Sequence, residues 1–265
     1  MNNKTNRKTE SGVSIRVEMI RQLTLVLLLA AELIIFAFMT QNFFTTSNMI
    51  NVLRQVSITG ISSLGMFMII LLGDIDLSVG SMYAFIGVIS AIVFKTTEST
   101  CLTLIVALAL GIAIGLFNGI FTAKFRVPAF ITTLATMSIC RGFAYIITGG
   151  SPIGVTNPKF TFLGTGYVFN LIPLPVIFMI IVLILGMILV KHTRFGRYIY
   201  SCGGNAQAAK WSGINVDKIR ITVYVIAGFL NGFAAIILAG RLGGGLPATG
   251  ELSLIHISEP TRRVV

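Results

Sequence analysis

Seven long apolar runs separated by short polar stretches dominate this sequence: Leu23 to Thr40, about Val56 to Leu72, Val79 to Phe94, Cys101 to Ala123, Val127 to Thr148, Leu171 to Val190 and Ile221 to Gly240. A helix needs about 20 apolar residues to cross roughly 30 Å of hydrocarbon, and several of these runs reach that length. In lipid every backbone N–H and C=O must find its partner inside the segment, so runs of this kind span as helices. The fold class is therefore all-α, a polytopic α-helical membrane protein with about seven transmembrane helices present. Only 11% of the residues are charged, against roughly 25% in a soluble domain.

The runs divide the chain into a basic segment over residues 1–22, a membrane domain over 23–251, and a tail over 252–265. The net charge of +11 would raise nucleic acid as a partner in a soluble protein. Here the Lys and Arg residues gather in alternate loops, so bilayer topology accounts for them and no nucleic acid is expected. With the N-terminus in the cytoplasm, residues 1–22, the 73–78 turn, the turn holding Lys124 and Arg126, and residues 191–220 share one side. The last of these carries Lys191, Arg194, Arg197, Lys210, Lys218 and Arg220. The opposite loops hold Arg54, Lys95 and Lys159, a bias that satisfies the positive-inside rule. The second and third runs are short, and a broken or re-entrant pair there would alter the crossing count. Cys101, Cys140 and Cys202 show no metal-ligand spacing; in apolar runs, Cys101 and Cys140 read as small buried hydrophobes.

No catalytic machinery is visible. A phosphate-cradling loop needs glycine-rich amides followed by Lys, and the sequence contains no Gly-Lys pair. The chain is read as no enzyme, with no catalytic residue, no metal site and no cofactor of its own. Asp74 and Asp76 could act as paired carboxylates, but Gly73-Asp74-Ile75-Asp76-Leu77-Ser78 before a helix reads more simply as a helix cap. Asp74, Asp76 and Ser78 thus mark a helix break or the edge of a pathway. Glu32 and Arg141 are charges inside apolar runs. Such charges cost about 2.5–3.5 kcal/mol on insertion scales and face protein or water. Glu32 fits a pathway lining or a mutual pair as well as it fits a structural hydrogen bond to backbone or snorkelling toward an interface; for Arg141, backbone bonding or snorkelling fits better.

Two further patterns stand out. Gly115-Leu116-Phe117-Asn118-Gly119 is echoed by Gly228-Phe229-Leu230-Asn231-Gly232. The two segments run in opposite directions, as inverted repeats would, although so short a match also arises by chance; Asn118 and Asn231 are pathway candidates. In the basic loop, Asn205 after Gly203-Gly204 can cap a short helix that Gly213 would end. Small residues at Ala208 and Ala209 would let that helix sit in a partner's groove. A solvated loop held to anionic lipid fits the composition as well.

Gln207-Ala208-Ala209-Lys210-Trp211-Ser212-Gly213 resembles the E-A-A-x-x-x-G pattern of ABC importer permeases, with Gln at the Glu position. Gly73–Ser81, Phe117-Asn118-Gly119, residues 126–134, Arg141–Tyr145, Thr193–Tyr198 and Ser212–Val216 resemble the ribose/galactose/xylose branch of that family, in family order. The resemblance covers residues 20–251. It implies a sugar-translocating permease subunit of the bacterial inner membrane, with seven helices of an expected ten and Asn205, Gln207, Ala208, Ala209 and Gly213 contacting an ATPase. It further implies an ABC ATPase subunit that carries ATP and Mg, a periplasmic sugar-binding protein and a second permease copy or homologue. An ion-coupled secondary transporter and a branched-chain amino acid ABC permease are the alternatives. Leu252-Ser253-Leu254-Ile255-His256-Ile257-Ser258-Glu259-Pro260-Thr261-Arg262 looks like the translation of a sequencing adapter. Residues 252–265 are therefore read as artefactual, with the native sequence expected to continue past Glu251.

Overall fold

The computed structural model describes residues 23–24, 26–40, 43–169 and 171–250. The tail at 252–265 and the basic segment at 1–22 lie outside these residues. The chain divides into two units, residues 1–52 and 53–265. The first contains α1 (Val26–Met39) and the opening turns of α2 (Thr46–Leu71). Within it Phe36 stacks on Phe43 at 6.0 Å, and the Asn48 side chain donates to the Phe43 carbonyl at 2.7 Å.

The second unit continues α2 and adds α3 (Val79–Thr97), α4 (Thr100–Ala123), α5 (Ala129–Thr148), α6 (Pro158–Thr165), α7 (Leu174–His192), α8 (Arg194–Gly204), α9 (Ala206–Trp211) and α10 (Val216–Leu242). Two-residue strands β1 (Ile153–Gly154) and β4 (Gly244–Gly245) pair antiparallel, as do β2 (Tyr167–Val168) and β3 (Ile172–Pro173). Among the described residues, six helices are long and apolar enough to cross a membrane: α2, α3, α4, α5, α7 and α10. α1, at the first expected span, is a shorter apolar helix. The second and third runs are whole helices of 26 and 19 residues, not broken ones.

Helix ends depart from the apolar runs where polar residues join a helix. α2 begins at Thr46, ten residues before the expected Val56, because Asn48, Asn51, Arg54 and Gln55 end the hydropathy signal without ending the helix. Arg54, expected in a loop, is inside α2, donates Nη2 to the Thr165 carbonyl at 2.7 Å and lies over the Tyr167 ring at 4.8 Å. Cys101, expected buried, is exposed; Cys140 and Cys202 are buried.

α10 is the central helix. Ala227, Leu230 and Ala234 join Ile61 and Met68 of α2 in one core cluster. Ala235, Ile236 and Ala239 join Met82 and Ile86 of α3 and Ala107 of α4 in another. Its closest neighbour is α4, which it meets antiparallel through glycines: a Cβ on Gly228 would stand 2.9 Å from the Gly115 Cα, and one on Gly111 would stand 2.9 Å from the Gly232 Cα. In lipid, helices gain nothing from hiding apolar surface from one another, so contact between backbones at small residues carries the association. The echoed Gly-x-x-Asn-Gly segments are therefore the facing halves of one helix pair.

Candidate functional site

The polar residues singled out in the sequence meet at the first turn of α3. Asp76, 4% exposed, accepts from the Ser78 amide at 2.8 Å and from the Ser78 hydroxyl at 2.6 Å. Asn118 of α4 donates Nδ2 to Ser78 Oγ at 3.2 Å, and Thr136 of α5 donates to Asn118 Oδ1 at 2.6 Å. Thr133 reaches the Ile75 carbonyl at 3.3 Å. From α10, Asn231 Nδ2 lies 4.0 Å from the Met82 sulfur, itself 3.5 Å from Ser78 Oγ. The Asn231 Oδ1 atom is buried without a hydrogen-bond partner. The two asparagines of the echoed segments thus approach the same turn of α3 from α4 and α10. Glu32 stands exposed on α1, in the first unit.

The capping expectation for Asp74 and Asp76 needs correction. Ser78 is the N-cap of α3, and its side chain takes no first-turn amide. Asp76 instead holds the Ser78 amide and hydroxyl, while Asp74 turns to Arg220 of α10, whose Nε lies 3.2 Å from Asp74 Oδ2. Burial pushes the Asp76 carboxyl above the ordinary carboxylate range, against the pull of the two Ser78 hydrogen bonds. Burial also raises Asp74, and the Arg220 charge offsets this only in part. Arg220 had no signal as Asp74's partner, since nearly 150 residues separate them. Thr133 and Thr136 were legible only as polar residues one turn apart in an apolar run.

The basic segment after α7 is an ordered double helix-turn rather than a solvated loop. Thr193 Oγ1 caps α8 by accepting from the Gly196 amide at 3.2 Å. Asn205 caps α9 as its sequence suggested, accepting from the Ala208 amide at 3.0 Å. Gly213 follows at φ +84°, a left-handed conformation that glycine takes without a Cβ clash. The α8–α9 elbow rests on the α2–α3 end of the helices: Ile199, Cys202 and Ala209 enter the core shared with Leu72 and Val223. A Cβ on Gly203 would meet the Leu72 Cα at 3.3 Å. The opposite side shows Gln207, Ala208 and Lys210 exposed, with Trp211 80% exposed. The two alanines therefore differ: Ala208 faces outward, while Ala209 packs into the chain's own core.

Arg141 of α5 donates Nη1 to the carbonyls of Pro247 and Thr249 at 2.6 and 2.7 Å, the backbone bonding its position suggested.

The helices and their buried polar contacts define a polytopic helical membrane protein. Comparison with known proteins places it more closely. A family model described as "Branched-chain amino acid transport system / permease component" matches residues 48–256. The ribose import permease protein RbsC of Haemophilus influenzae is 39% identical over 213 residues, covering 79% of this chain and 66% of that protein. RbsC of Escherichia coli K12 is 41% identical over 216 residues, covering 80% and 67%. The L-arabinose transport system permease protein AraH of Escherichia coli K12 is 39% identical over 213 residues, covering 80% and 65%. The chain belongs to this family of ABC transporter permeases. It spans about two thirds of the length of these relatives. No solved structure matches the chain significantly.

Proposed function

We propose that this chain is the membrane-spanning permease subunit of an ATP-driven importer for a neutral monosaccharide of the ribose or arabinose kind. The observation that carries the reading is the α8–α9 elbow. One side is built into the helix core through Ile199, Cys202 and Ala209, and the other offers Gln207, Ala208 and Trp211 to a partner. A push on such an elbow is transmitted to the α2–α3 turn beneath it, and through the Asp74–Arg220 pair to α10. The chain has no phosphate loop of its own, so ATP and Mg belong to a separate ATPase subunit. A periplasmic binding protein would deliver the sugar, and a second permease copy or homologue would complete the path. The relatives named for ribose and arabinose favour a sugar over a branched-chain amino acid. The hydroxyls and amides of Ser78, Asn118 and Thr136 suit an uncharged solute, and the one carboxylate beside them, Asp76, is tied to Ser78 by two hydrogen bonds.

The Lys and Arg bias supports an orientation with the N-terminus and the elbow in the cytoplasm, in what we read as the bacterial inner membrane. A lone Cys at Ser212, with the native cysteines replaced, should then resist an impermeant thiol reagent added to spheroplasts. The decisive measurement is uptake of labelled D-ribose in cells expressing the gene from its own locus, with and without the partner ATPase. Uptake should vanish with the ATPase. Uptake that persists on a proton gradient alone would overturn the assignment.

A further inference from the structure

After α10 the chain does not leave the helix bundle. Residues 243–250 turn back along α3 as non-helical backbone that opens with β4, paired to β1. Gly245 lies against the middle of α3, where a Cβ would stand 2.5 Å from the Val88 Cα; Gly250 lies against its second residue, with a Gly80 Cβ 2.7 Å from the Gly250 carbonyl oxygen. From Val88 back to Gly80 the stretch follows α3 for roughly 12 Å at 1.5 Å per residue. Gly244, Gly245 and Pro247 are buried, whereas Ala248 and Gly250 are exposed and Thr249 partly so. Non-helical backbone inside a membrane domain is tolerated only where protein buries it or where it lines a water-filled cavity. Gly245, beside Val88, is covered by protein; the exposed end of the stretch lies beside Gly80 and is level with Arg141, well inside the 20-residue span of α5, so that open end falls under this rule.

The stretch is pinned by a charge. Arg141 spends Nη1 on the Pro247 and Thr249 carbonyls. A guanidinium carries five N–H donors in a fixed fork, and none of the others has a protein acceptor among the described residues; nor are they sealed away, for Arg141 is only half-buried and none of its nitrogens is a buried unpaired atom. Among the described residues, Asp74–Arg220 is the one ion pair, and none of their carboxylates pairs with Arg141. An intramembrane guanidinium with spare donors beside a non-helical backbone stretch is arranged to meet a polar solute.

We propose that Gly243–Gly250 lines the solute path and that Arg141, through the N–H groups left over from Pro247 and Thr249, binds the hydroxyls of a monosaccharide there. Neighbouring hydroxyls of a sugar present two acceptors to one planar fork, and the neutral sugar leaves the guanidinium charged. The inference rests on the sugar-import reading above and adds the residue and segment that would recognise the solute.

The test uses the full chain with its partners, with Cys101, Cys140 and Cys202 replaced and single cysteines placed at Ala248, at Thr249 and, as a control, at Ile146 on the exposed side of α5. In permeabilised membranes, a small charged thiol reagent should modify Ala248→Cys and Thr249→Cys but not Ile146→Cys. Saturating D-ribose should slow that modification several-fold, and L-leucine should not. Adding Arg141→Gln should abolish the protection by D-ribose, while Arg141→Lys, which keeps the charge but loses the fork, should retain part of it. Failure of both path cysteines to react, while ATPase-dependent D-ribose uptake persists, overturns this inference and leaves the import reading standing. Protection that survives Arg141→Gln likewise overturns the role of Arg141. Protection by L-leucine in place of D-ribose would sink the sugar reading itself.

Discussion

At the scale of single residues, the turn before α3 concentrates the buried polar chemistry. Asp76 is a nearly sealed carboxylate whose contacts are hydrogen bonds from Ser78 rather than a cation. In the unfolded chain it titrates near the ordinary value of about 3.9; in the fold, burial raises it. The folded state therefore binds the proton more readily. By linkage, stability falls as pH rises from the unfolded value through the raised folded value, and levels off above it. Asp74 contributes with the same sign. Asp76→Asn keeps one acceptor oxygen for Ser78 and removes the proton. Its thermal unfolding midpoint in detergent, followed from pH 4 to pH 8, should fall less steeply than that of the parent. Parallel curves would mean that Asp76 titrates alike in both states. Ser78→Ala removes the Asp76 hydroxyl donor and the Asn118 acceptor together. It should cost about 1–3 kcal/mol, the range for stranding a buried polar partner, whereas Thr59→Ala, an exposed hydroxyl bonded only to its own helix, should change little.

At the scale of elements, the α4–α10 pair is an exacting contact, because both helices present glycine to backbone. Leucine at Gly228 would drive its Cβ to 2.9 Å from the Gly115 Cα and onto the Gly111 carbonyl. No side-chain movement relieves a clash with backbone, and overpacking of this kind typically costs 1–3 kcal/mol or more. Gly228→Leu should aggregate or be degraded, as read by size-exclusion of the fluorescently tagged protein. Gly142→Ala, where nothing lies within 4 Å of the added Cβ, should run as the parent and gain up to about 1 kcal/mol of helix propensity. Apolar length alone located these helices, since a span is fixed by the solvent around it. It misplaced the start of α2 because Asn48, Asn51, Arg54 and Gln55 look like loop to hydropathy. The Gly-x-x-Asn-Gly echo held the α4–α10 contact in plain sight, but spacing cannot tell a facing pair from a chance repeat.

At the scale of the whole molecule, what the sequence could not show is which side of each element faces inward. Asn205 and Gly213 announced a short capped helix by residue type, and α9 has those bounds within two residues. The chain's long-range folding decides the rest: α8 and α9 lie back on the α2–α3 end, so one alanine of the adjacent pair is sealed and the other is free. That difference separates coupling from folding in a way the motif alone does not. Ala208→Glu places a carboxylate on the outward side of α9, at a residue exposed among the described residues. It should leave protein level and membrane insertion near normal, weaken co-purification with the ATPase and abolish D-ribose uptake. Ala209→Glu drives the same carboxylate into the core with Ile199, Cys202 and Val223. A buried unpaired charge is strongly destabilising, so this variant should lose protein first and transport as a consequence. Gly213→Asp should fall between them, because its φ of +84° strains a residue bearing a Cβ and shifts the exit from α9 without touching the core. Quantifying protein by immunoblot, ATPase retention by pull-down and uptake in the same membranes orders the three. Full transport by Ala208→Glu with its ATPase still bound would move the docking surface off α9, and the elbow would then be only a structural brace between α7 and α10.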